Sequence, residues 1–176
     1  LKASMGSAWT YKGKPIIPIA MDMEDPEVRA WQMERSAKTR AGEPIDEISR
    51  YLFTVSKATN LDKATIPVER TQGAILFISV KDDEVWPSEE LAEISVNRLR
   101  ENKFPFKFDH LSYRYAGHSI RYPFFPTTVN QVKHSLAQRI VRFGGTPSGI
   151  AKASVDSWDR VLTFYEEMIG QKNDQL

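Results

Sequence analysis

Ala74-Ile75-Leu76-Phe77-Ile78-Ser79-Val80 is an apolar run that begins directly after Gly73. It is too short for a typical helix, and it is rich in the branched and aromatic side chains that favour strands. Because apolar and polar residues do not alternate within it, the run is typical of a strand covered on both faces in a parallel sheet. The sequence therefore predicts a buried parallel strand here.

A helix is predicted after this strand, beyond a polar turn at residues 81–87. Ser88 is placed to cap it, and Glu89 and Glu90 lie in its first turn, where the helix dipole favours acidic groups. Asn102 is the predicted end of the helix. Its inner face is predicted to consist of four apolar residues: Leu91, Ala92, Val96 and Leu99.

A second strand is predicted at residues 106–113, where apolar and polar residues alternate as in a strand with one wetter face. The order strand, helix, strand makes a βαβ unit, for which parallel pairing is strongly preferred. The fold class is therefore α/β. Two strands cannot bury both faces of such a sheet, so we expect further strands from elsewhere to complete it.

The rest of the chain carries weaker signals. Residues 1–26 read as irregular because glycines and prolines recur closely. Helices are predicted from Pro26 to about Ala41 and from Pro44 to Asn60, and residues 129–141 are compatible with a short helix. A final helix is predicted from Ser154 or Val155 to Gly170, which is a natural C-terminal stop. Its apolar face comprises Trp158, Val161, Leu162, Tyr165, Met168 and Ile169.

The composition excludes several classes of protein. With 41% hydrophobic and 27% charged residues, the chain has enough apolar material for a globular core. The net charge is +1, and basic and acidic residues are interleaved along the chain. This distribution argues against nucleic acid or anionic lipid as partners. Cysteine is absent, so a reducing cytoplasm is the expected compartment. Neither a signal peptide nor an apolar run of membrane-spanning length occurs, which predicts a soluble protein.

Two residues that carry chemistry follow the two predicted strands. Asp83 comes after the first, and His118 comes after the second, 35 positions later. In α/β sheets, catalytic groups lie in loops at the carboxyl ends of strands, and the order matches the second half of the Ser, Asp, His order of α/β-hydrolases. A histidine titrates near neutrality and suits proton transfer, and an aspartate would orient it. By default, however, both residues would be ordinary loop residues.

The segments around these residues resemble a known family. Asp82-Asp83-Glu84-Val85-Trp86-Pro87-Ser88 is similar to the Asp-Asp-x-x-Trp-x-Ser segment of the acyl-CoA thioesterase and bile-acid-CoA:amino-acid N-acyltransferase family, and Ala116-Gly117-His118 is similar to its histidine motif. Residues 7–15, 66–70 and 144–158 agree with the same family. Val80 and Lys81 stand where the family usually has small residues, a departure that concerns the geometry of the turn.

The resemblance implies a fold and a set of roles. The chain would be the C-terminal portion of an α/β-hydrolase with a doubly wound, mainly parallel sheet that is incomplete without the N-terminal strands. Residues 1–65 would form a connection and lid-like helices, and residues 66–176 would carry the last strands, the two catalytic loops and the C-terminal helix. Asp83 would be the catalytic acid and His118 the base, whereas Asp82 is expected to shape the turn or support its neighbour.

The nucleophile of this family lies on a Gly-x-Ser/Cys-x-Gly elbow that precedes the residues seen here. Ser4 is the only imitation, and we reject it because Lys2 replaces a required small residue and no strand precedes it. The chain starts at Leu1, which suggests that residues upstream are missing. We therefore expect no turnover from this polypeptide alone, and we expect activity only together with the N-terminal part of the same domain.

The resemblance implies an acyl-CoA thioester or related acyl ester as substrate. The alternatives within enzymes are an acyl-CoA:amino-acid N-acyltransferase and a dienelactone-hydrolase-like carboxylic esterase. An inactive fragment or binding subunit is the alternative outside enzymes. The exposed sheet edge of an isolated fragment also predicts association, for example as a homodimer.

Trp86, Tyr122 and Phe124 are candidates for an acyl pocket because such sites are mainly apolar, although core packing explains them equally well. Arginines at positions 121, 139 and 142 could meet the phosphates of coenzyme A or simply be solvated. His110 and His134 are expected to be structural or exposed. No cofactor and no metal are expected, because the three histidines lack zinc-site spacing and no calcium loop occurs.

Overall fold

The computed structural model describes residues 7, 9–43, 47–134 and 139–173, with the backbone only for residues 134, 139 and 171–173. The chain forms two compact units, Leu1–Ile66 and Pro67–Leu176.

The first unit is mainly helical. Strands β1 (Thr10–Tyr11) and β2 (Lys14–Pro15) pair antiparallel, in a region that the sequence predicts to be irregular. They are followed by helices α1 (Pro26–Ala41), α2 (Glu47–Ser56) and α3 (Leu61–Ala64).

The predicted first helix is confirmed, and local chemistry explains both of its ends. Asp25 caps the start, where its carboxylate accepts the backbone N–H of Glu27 at 2.7 Å. Gly42 ends it in the left-handed region at φ 70°. Helix α2 ends at Ser56 rather than at the predicted Asn60, while the predicted start after Pro44 lies outside the described residues.

The second unit contains the predicted βαβ unit. After a 3₁₀ turn at Val68–Arg70, strand β3 (Ile75–Val80), helix α4 (Ser88–Glu101) and strand β4 (Phe108–Tyr113) follow in order. The two strands are parallel, in a register that pairs the first and last residues of β3 with those of β4. The α/β class and the parallel pairing are confirmed. The doubly wound sheet stays a prediction, since β3 and β4 pair only with each other in the described part of the chain.

The prediction that β3 is buried on both faces is wrong for these residues. Ser79 and Val80 are buried, but Ile78 is 39% exposed, so the middle of the strand is covered incompletely. The inner face of α4 is likewise only half formed: Val96 and Leu99 are buried, and Leu91 is 38% exposed.

The predicted capping role of Ser88 is also wrong, since Pro87 precedes the helix and Ser88 is its first residue. The Ser88 hydroxyl instead donates to the carbonyl of Val80 at 3.0 Å and accepts the N–H of the same residue at 3.2 Å. The hydroxyl therefore ties the start of α4 to the end of β3, immediately before the Asp82-Asp83 loop.

The short helix at residues 129–141 is not formed in the parts of that range that the structure describes, 129–134 and 139–141. Strands β5 (Gln131–His134) and β6 (Arg139–Arg142) pair antiparallel there, with Val132 opposite Val141. The branched residues Val132, Ile140 and Val141 favour strands, and the two segments satisfy each other's backbone groups by pairing.

The last helix, α5 (Pro147–Asn173), begins earlier and ends later than predicted. Proline fits the first turn of a helix, and the Thr146 hydroxyl oxygen accepts the N–H of Gly149 at 3.0 Å, as a cap does. The helix continues through Gly170. Its early turns supply buried Ile150 and Ala153, and Ala153 joins Val80 and Ala116 in the core beneath the two loops.

None of the helices in the described ranges is long and apolar enough to cross a membrane.

Candidate active site

The loops after β3 and β4 are joined directly where the strands end. The backbone N–H of Lys81 donates to the carbonyl of Tyr113 at 2.8 Å, and the N–H of Asp82 donates to the carbonyl of Ala116 at 3.2 Å. The parallel pairing ends at Val80 and Tyr113, and these two bonds hold the loops together immediately after it. The pairing brings Asp83 and His118 to the same edge, as expected for parallel strands.

Asp83 and His118 contact each other through their side chains. The Asp83 Oδ2 atom lies 3.1 Å from Nδ1 of His118. The side chain of Asp83 is 4% exposed, whereas that of His118 is 31% exposed. The carboxylate is therefore enclosed, while the imidazole that contacts it is partly accessible.

Three hydrogen bonds hold the Asp83 carboxylate. Besides the contact with His118, its Oδ1 accepts the backbone N–H groups of Val85 at 2.8 Å and Trp86 at 3.1 Å. Burial by itself raises the pKa of this carboxyl, but the bonds from His118, Val85 and Trp86 together outweigh burial and leave the pKa below its usual value of 3.8. Asp83 is accordingly an anion at neutral pH and accepts hydrogen bonds only.

The position of His118 is fixed through its backbone and its ring faces. Its N–H donates to the carbonyl of Phe143 at 2.7 Å. The ring of Trp86 meets the imidazole edge-on at a centroid distance of 5.5 Å, and the ring of Phe143 lies 6.0 Å away. In the described part of the chain no group bonds to Nε2 of His118.

Glycines allow a third loop to approach the other two. A Cβ atom on Gly117 would lie 2.2 Å from the carbonyl oxygen of Gly144, and one on Gly145 would lie 2.3 Å from the backbone nitrogen of Gly117. Gly144 and Gly145 both have positive φ. This close packing places the carbonyl of Phe143 beneath His118. Local periodicity in the sequence could not reveal this contact. The adjacent glycines at 144 and 145 signal only an unusual turn.

The three residues proposed for an acyl pocket are placed differently. Trp86 lies against His118 and is 41% exposed. Tyr122 contacts the rings of Phe125 and Trp158, at 4.7 and 6.2 Å, and Phe124 is fully exposed. Only Trp86 is thus brought to the Asp83–His118 pair, and a pocket role stays a prediction for all three.

For the remaining candidates, the structure shows no contact with this pair among the described residues, or the candidates lie outside those residues. His110 is half-buried on β4, where its Nε2 contacts the hydroxyl of Ser79 at 2.7 Å, an interaction between neighbouring strands. Ser4 and the side chains of His134 and Arg139 lie outside the described residues. Arg121 and Arg142 are exposed.

Comparison with known protein families gives a match over nearly the whole chain. Residues 2–171 match the family described as BAAT / Acyl-CoA thioester hydrolase C terminal. The chain belongs to this family. The matched region includes Asp83, His118 and the glycine loop, and it confirms the resemblance seen in the sequence motifs.

Several proteins similar to this chain are named thioesterases. Mitochondrial acyl-coenzyme A thioesterase 2 of Mus musculus is 36% identical over 111 residues, which cover 63% of this chain and 24% of that protein. The peroxisomal succinyl-coenzyme A thioesterase of Mus musculus is 32% identical over 110 residues, covering 62% and 26%. Acyl-coenzyme A thioesterase 1 of Homo sapiens is 28% identical over 168 residues, covering 96% and 36%.

The chain therefore spans about a quarter to a third of the length of these relatives. Their names support thioester hydrolysis as the chemistry of the family. One of these relatives is named as a mitochondrial protein and another as a peroxisomal protein. A cytoplasmic location therefore stays a prediction for this chain.

Proposed function

We propose that this chain supplies the acid and the base of a catalytic triad that hydrolyses acyl-CoA thioesters. The observation that carries the proposal is the 3.1 Å contact between His118 Nδ1 and the enclosed Asp83 carboxylate. In this arrangement Asp83 orients the imidazole and stabilises its protonated form. Membership of a family whose relatives are named thioesterases supplies the substrate class.

The tautomer of His118 follows from its partner. Because Asp83 is an acceptor only, Nδ1 carries the hydrogen and Nε2 presents a lone pair. Nε2 takes the proton of a serine or cysteine nucleophile as that atom bonds to the thioester carbonyl carbon. The coenzyme A sulfur leaves with this proton, which gives an acyl-enzyme and a free thiol.

The second half of the reaction uses the same nitrogen. A water molecule gives a proton to Nε2 as its oxygen attacks the acyl carbon, and the proton then returns to the departing nucleophile. Trp86 lies against the ring of His118 and presents an apolar surface there, which suits the acyl part of a thioester.

The nucleophile in this proposal comes from residues outside these 176. Neither Gly-x-Ser-x-Gly nor Gly-x-Cys-x-Gly occurs in the sequence. The 176-residue chain is therefore expected to release no thiol from acyl-CoA, and measurable release by the purified chain would contradict this part of the proposal.

The triad is tested in the full-length protein by the rate of thiol release from acyl-CoA. His118→Ala and Asp83→Asn are each expected to lower kcat by about 10³-fold or more, since residues of a triad act as a unit. His110→Gln and Asp109→Asn are the matched controls, because both residues lie on β4 away from the pair, and each is expected to stay within about twofold of wild type. A His118→Ala variant that keeps more than a tenth of the wild-type rate would refute the assignment.

The competing reactions differ in what intercepts the acyl-enzyme. Adding glycine or taurine to the assay is expected to leave free acid as the only acyl product if the protein is a hydrolase. An N-acyl amino acid would identify a transferase, and turnover of simple carboxylic esters without acyl-CoA turnover would identify an esterase. An upstream sequence without a nucleophile elbow would favour a non-catalytic binding subunit instead.

A further inference from the structure

We propose that Asp82 is a positioning residue, whose carboxylate sets the place of His118 by holding the backbone of the histidine loop. The inference rests on the proposed function, because it treats His118 as the base. It goes beyond that function by assigning the first carboxylate of the Asp82-Asp83 pair a separate task, which acts on the main chain of the other loop.

The two neighbouring carboxylates hold opposite ends of one short segment. Oδ2 of Asp83 contacts the side chain of His118, while Oδ2 of Asp82 accepts a hydrogen bond from the backbone N–H of Tyr115. The backbone N–H of Asp82 also donates to the carbonyl of Ala116 at 3.2 Å. Asp82 is thus bonded to both residues that precede the Gly117-His118 pair.

The segment needs such a restraint because Tyr115 has an unfavourable backbone conformation. Its φ is 62°, in the left-handed region that residues with a side chain rarely adopt. A hydrogen bond from a backbone N–H to a carboxylate is charge-assisted and stronger than a neutral one. The Asp82 carboxylate therefore stabilises Tyr115 in the conformation that turns the chain toward His118.

The carbonyl group of Tyr115 is also restrained by close contacts. Its oxygen accepts the N–H of Thr146 at 2.9 Å, and a Cβ atom on Gly149 would lie 1.9 Å from the same oxygen. The N–H of Tyr115, in the preceding peptide group, donates to Asp82. Loss of the carboxylate would leave this N–H without its acceptor and let the peptide before Tyr115 rotate, which moves the loop that carries the base.

Among the described residues, Asp82 forms no ion pair. No cation bonds to its carboxylate within the described ranges, although exposed carboxylates elsewhere, such as Asp109 with Arg160, have one. Its contact with a backbone N–H thus accounts for the acidic residue at this position. The exposed side chain is also not needed for the core.

The test compares Asp82→Ala and Asp82→Asn in the full-length protein, by kcat and by the pH dependence of kcat/KM. Asp82→Ala is expected to lower kcat about 10-fold, equivalent to about 1.4 kcal/mol, with KM unchanged. In Asp82→Ala the acid limb, which is the fall of kcat/KM on the acid side of its pH profile, is expected to move to lower pH. The reason is that a displaced imidazole is less well stabilised by Asp83 when it is protonated. Asp82→Asn keeps an oxygen that accepts the Tyr115 N–H, so its kcat is expected within about threefold of wild type.

Asp109→Ala is the matched control, since Asp109 is another exposed carboxylate that accepts a backbone N–H, that of His110 at 2.8 Å. It is expected to leave the rate and the acid limb unchanged. The inference is overturned if Asp82→Ala stays within twofold of wild type, if it lowers the whole profile without moving the acid limb, or if Asp109→Ala moves the limb as far.

The Asn variant separates position from charge. If Asp82 acted on His118 only through its negative charge, Asp82→Asn would move the limb as far as Asp82→Ala, and that result overturns the inference. A fully active His118→Ala would overturn the proposed function and this inference with it. An inactive His118→Ala beside a normal Asp82→Ala overturns the inference alone.

Discussion

Replacing Gly144 by alanine is expected to be among the most damaging small changes in this chain. Gly144 has φ 73°, and an added Cβ atom would lie 1.8 Å from the carbonyl oxygen of Asp82 and 3.0 Å from its carbonyl carbon. Both atoms belong to a backbone that is bonded to Ala116 and cannot withdraw freely. The glycine loop must therefore shift by more than an ångström to accept the methyl group.

The magnitude has two parts. A left-handed φ costs a residue with a Cβ atom about 1–2 kcal/mol. Forcing a methyl group into closely packed surroundings costs about 1–3 kcal/mol more. The free energy of unfolding is therefore expected to fall by about 2–5 kcal/mol in Gly144→Ala. Gly42→Ala supplies the matched control, since Gly42 has φ 70° with nothing within 4 Å, so only the first cost applies.

Urea denaturation followed by circular dichroism measures both variants on the same scale. Gly144→Ala is expected to unfold at a clearly lower urea concentration than Gly42→Ala. In the full-length protein it is also expected to lower kcat, because the displaced loop carries the Phe143 carbonyl that binds the backbone of His118. Equal losses of stability in the two variants would refute the close packing of the loops around Gly144.

Three other changes test separate features of the fold. Ser88→Ala removes the hydroxyl that bonds to both backbone groups of Val80 and is expected to cost about 1–3 kcal/mol, whereas Ser95→Ala should cost less than about 0.5 kcal/mol; equal midpoints in urea would contradict the tie between α4 and β3. Because the pKa of Asp83 is lowered in the folded protein, the ionised carboxylate stabilises the fold at pH values above 3.8, its ordinary pKa. This stabilisation is lost as the pH falls through the lower pKa of the folded state. The stability gap between wild type and Asp83→Asn should therefore narrow in acid titrations below about pH 4, and a gap independent of pH would argue against an ionised carboxylate. Gly170→Ala adds a methyl group where nothing lies within 4 Å inside a helix and should stabilise by about 0.5–1 kcal/mol, so a lower midpoint would contradict a continuous α5.

The parts of the fold that sequence reasoning predicted correctly are those with a local pattern. Residues 75–80 form a strand because branched apolar side chains favour one, and the helix at 88–101 follows from its amphipathic spacing. The predicted bounds of α1, Pro26 to about Ala41, also agree with the structure. Each of these signals lies within a few residues of the element that it predicts.

The errors have a common physical cause. The last helix begins at Pro147 rather than at the predicted Ser154 or Val155, because proline fits the first turn, and Gly149 allows the close approach of the Tyr115 carbonyl. Strands β5 and β6 depend on pairing with each other, which single-segment periodicity does not report. A glycine needed for a distant contact looks, in sequence, like a glycine that ends a helix.

For the site, the sequence alone determined the residue types and their order: two adjacent aspartates after one strand and a histidine after the next. Only the tertiary structure decided that Asp83 faces His118 while its neighbour Asp82 faces the backbone of Tyr115, and that the Phe143 carbonyl lies beneath the histidine. The physical reason is that these contacts join residues some 25 to 35 positions apart. They depend on strand register and on the paths of three packed loops, neither of which any short stretch of sequence encodes.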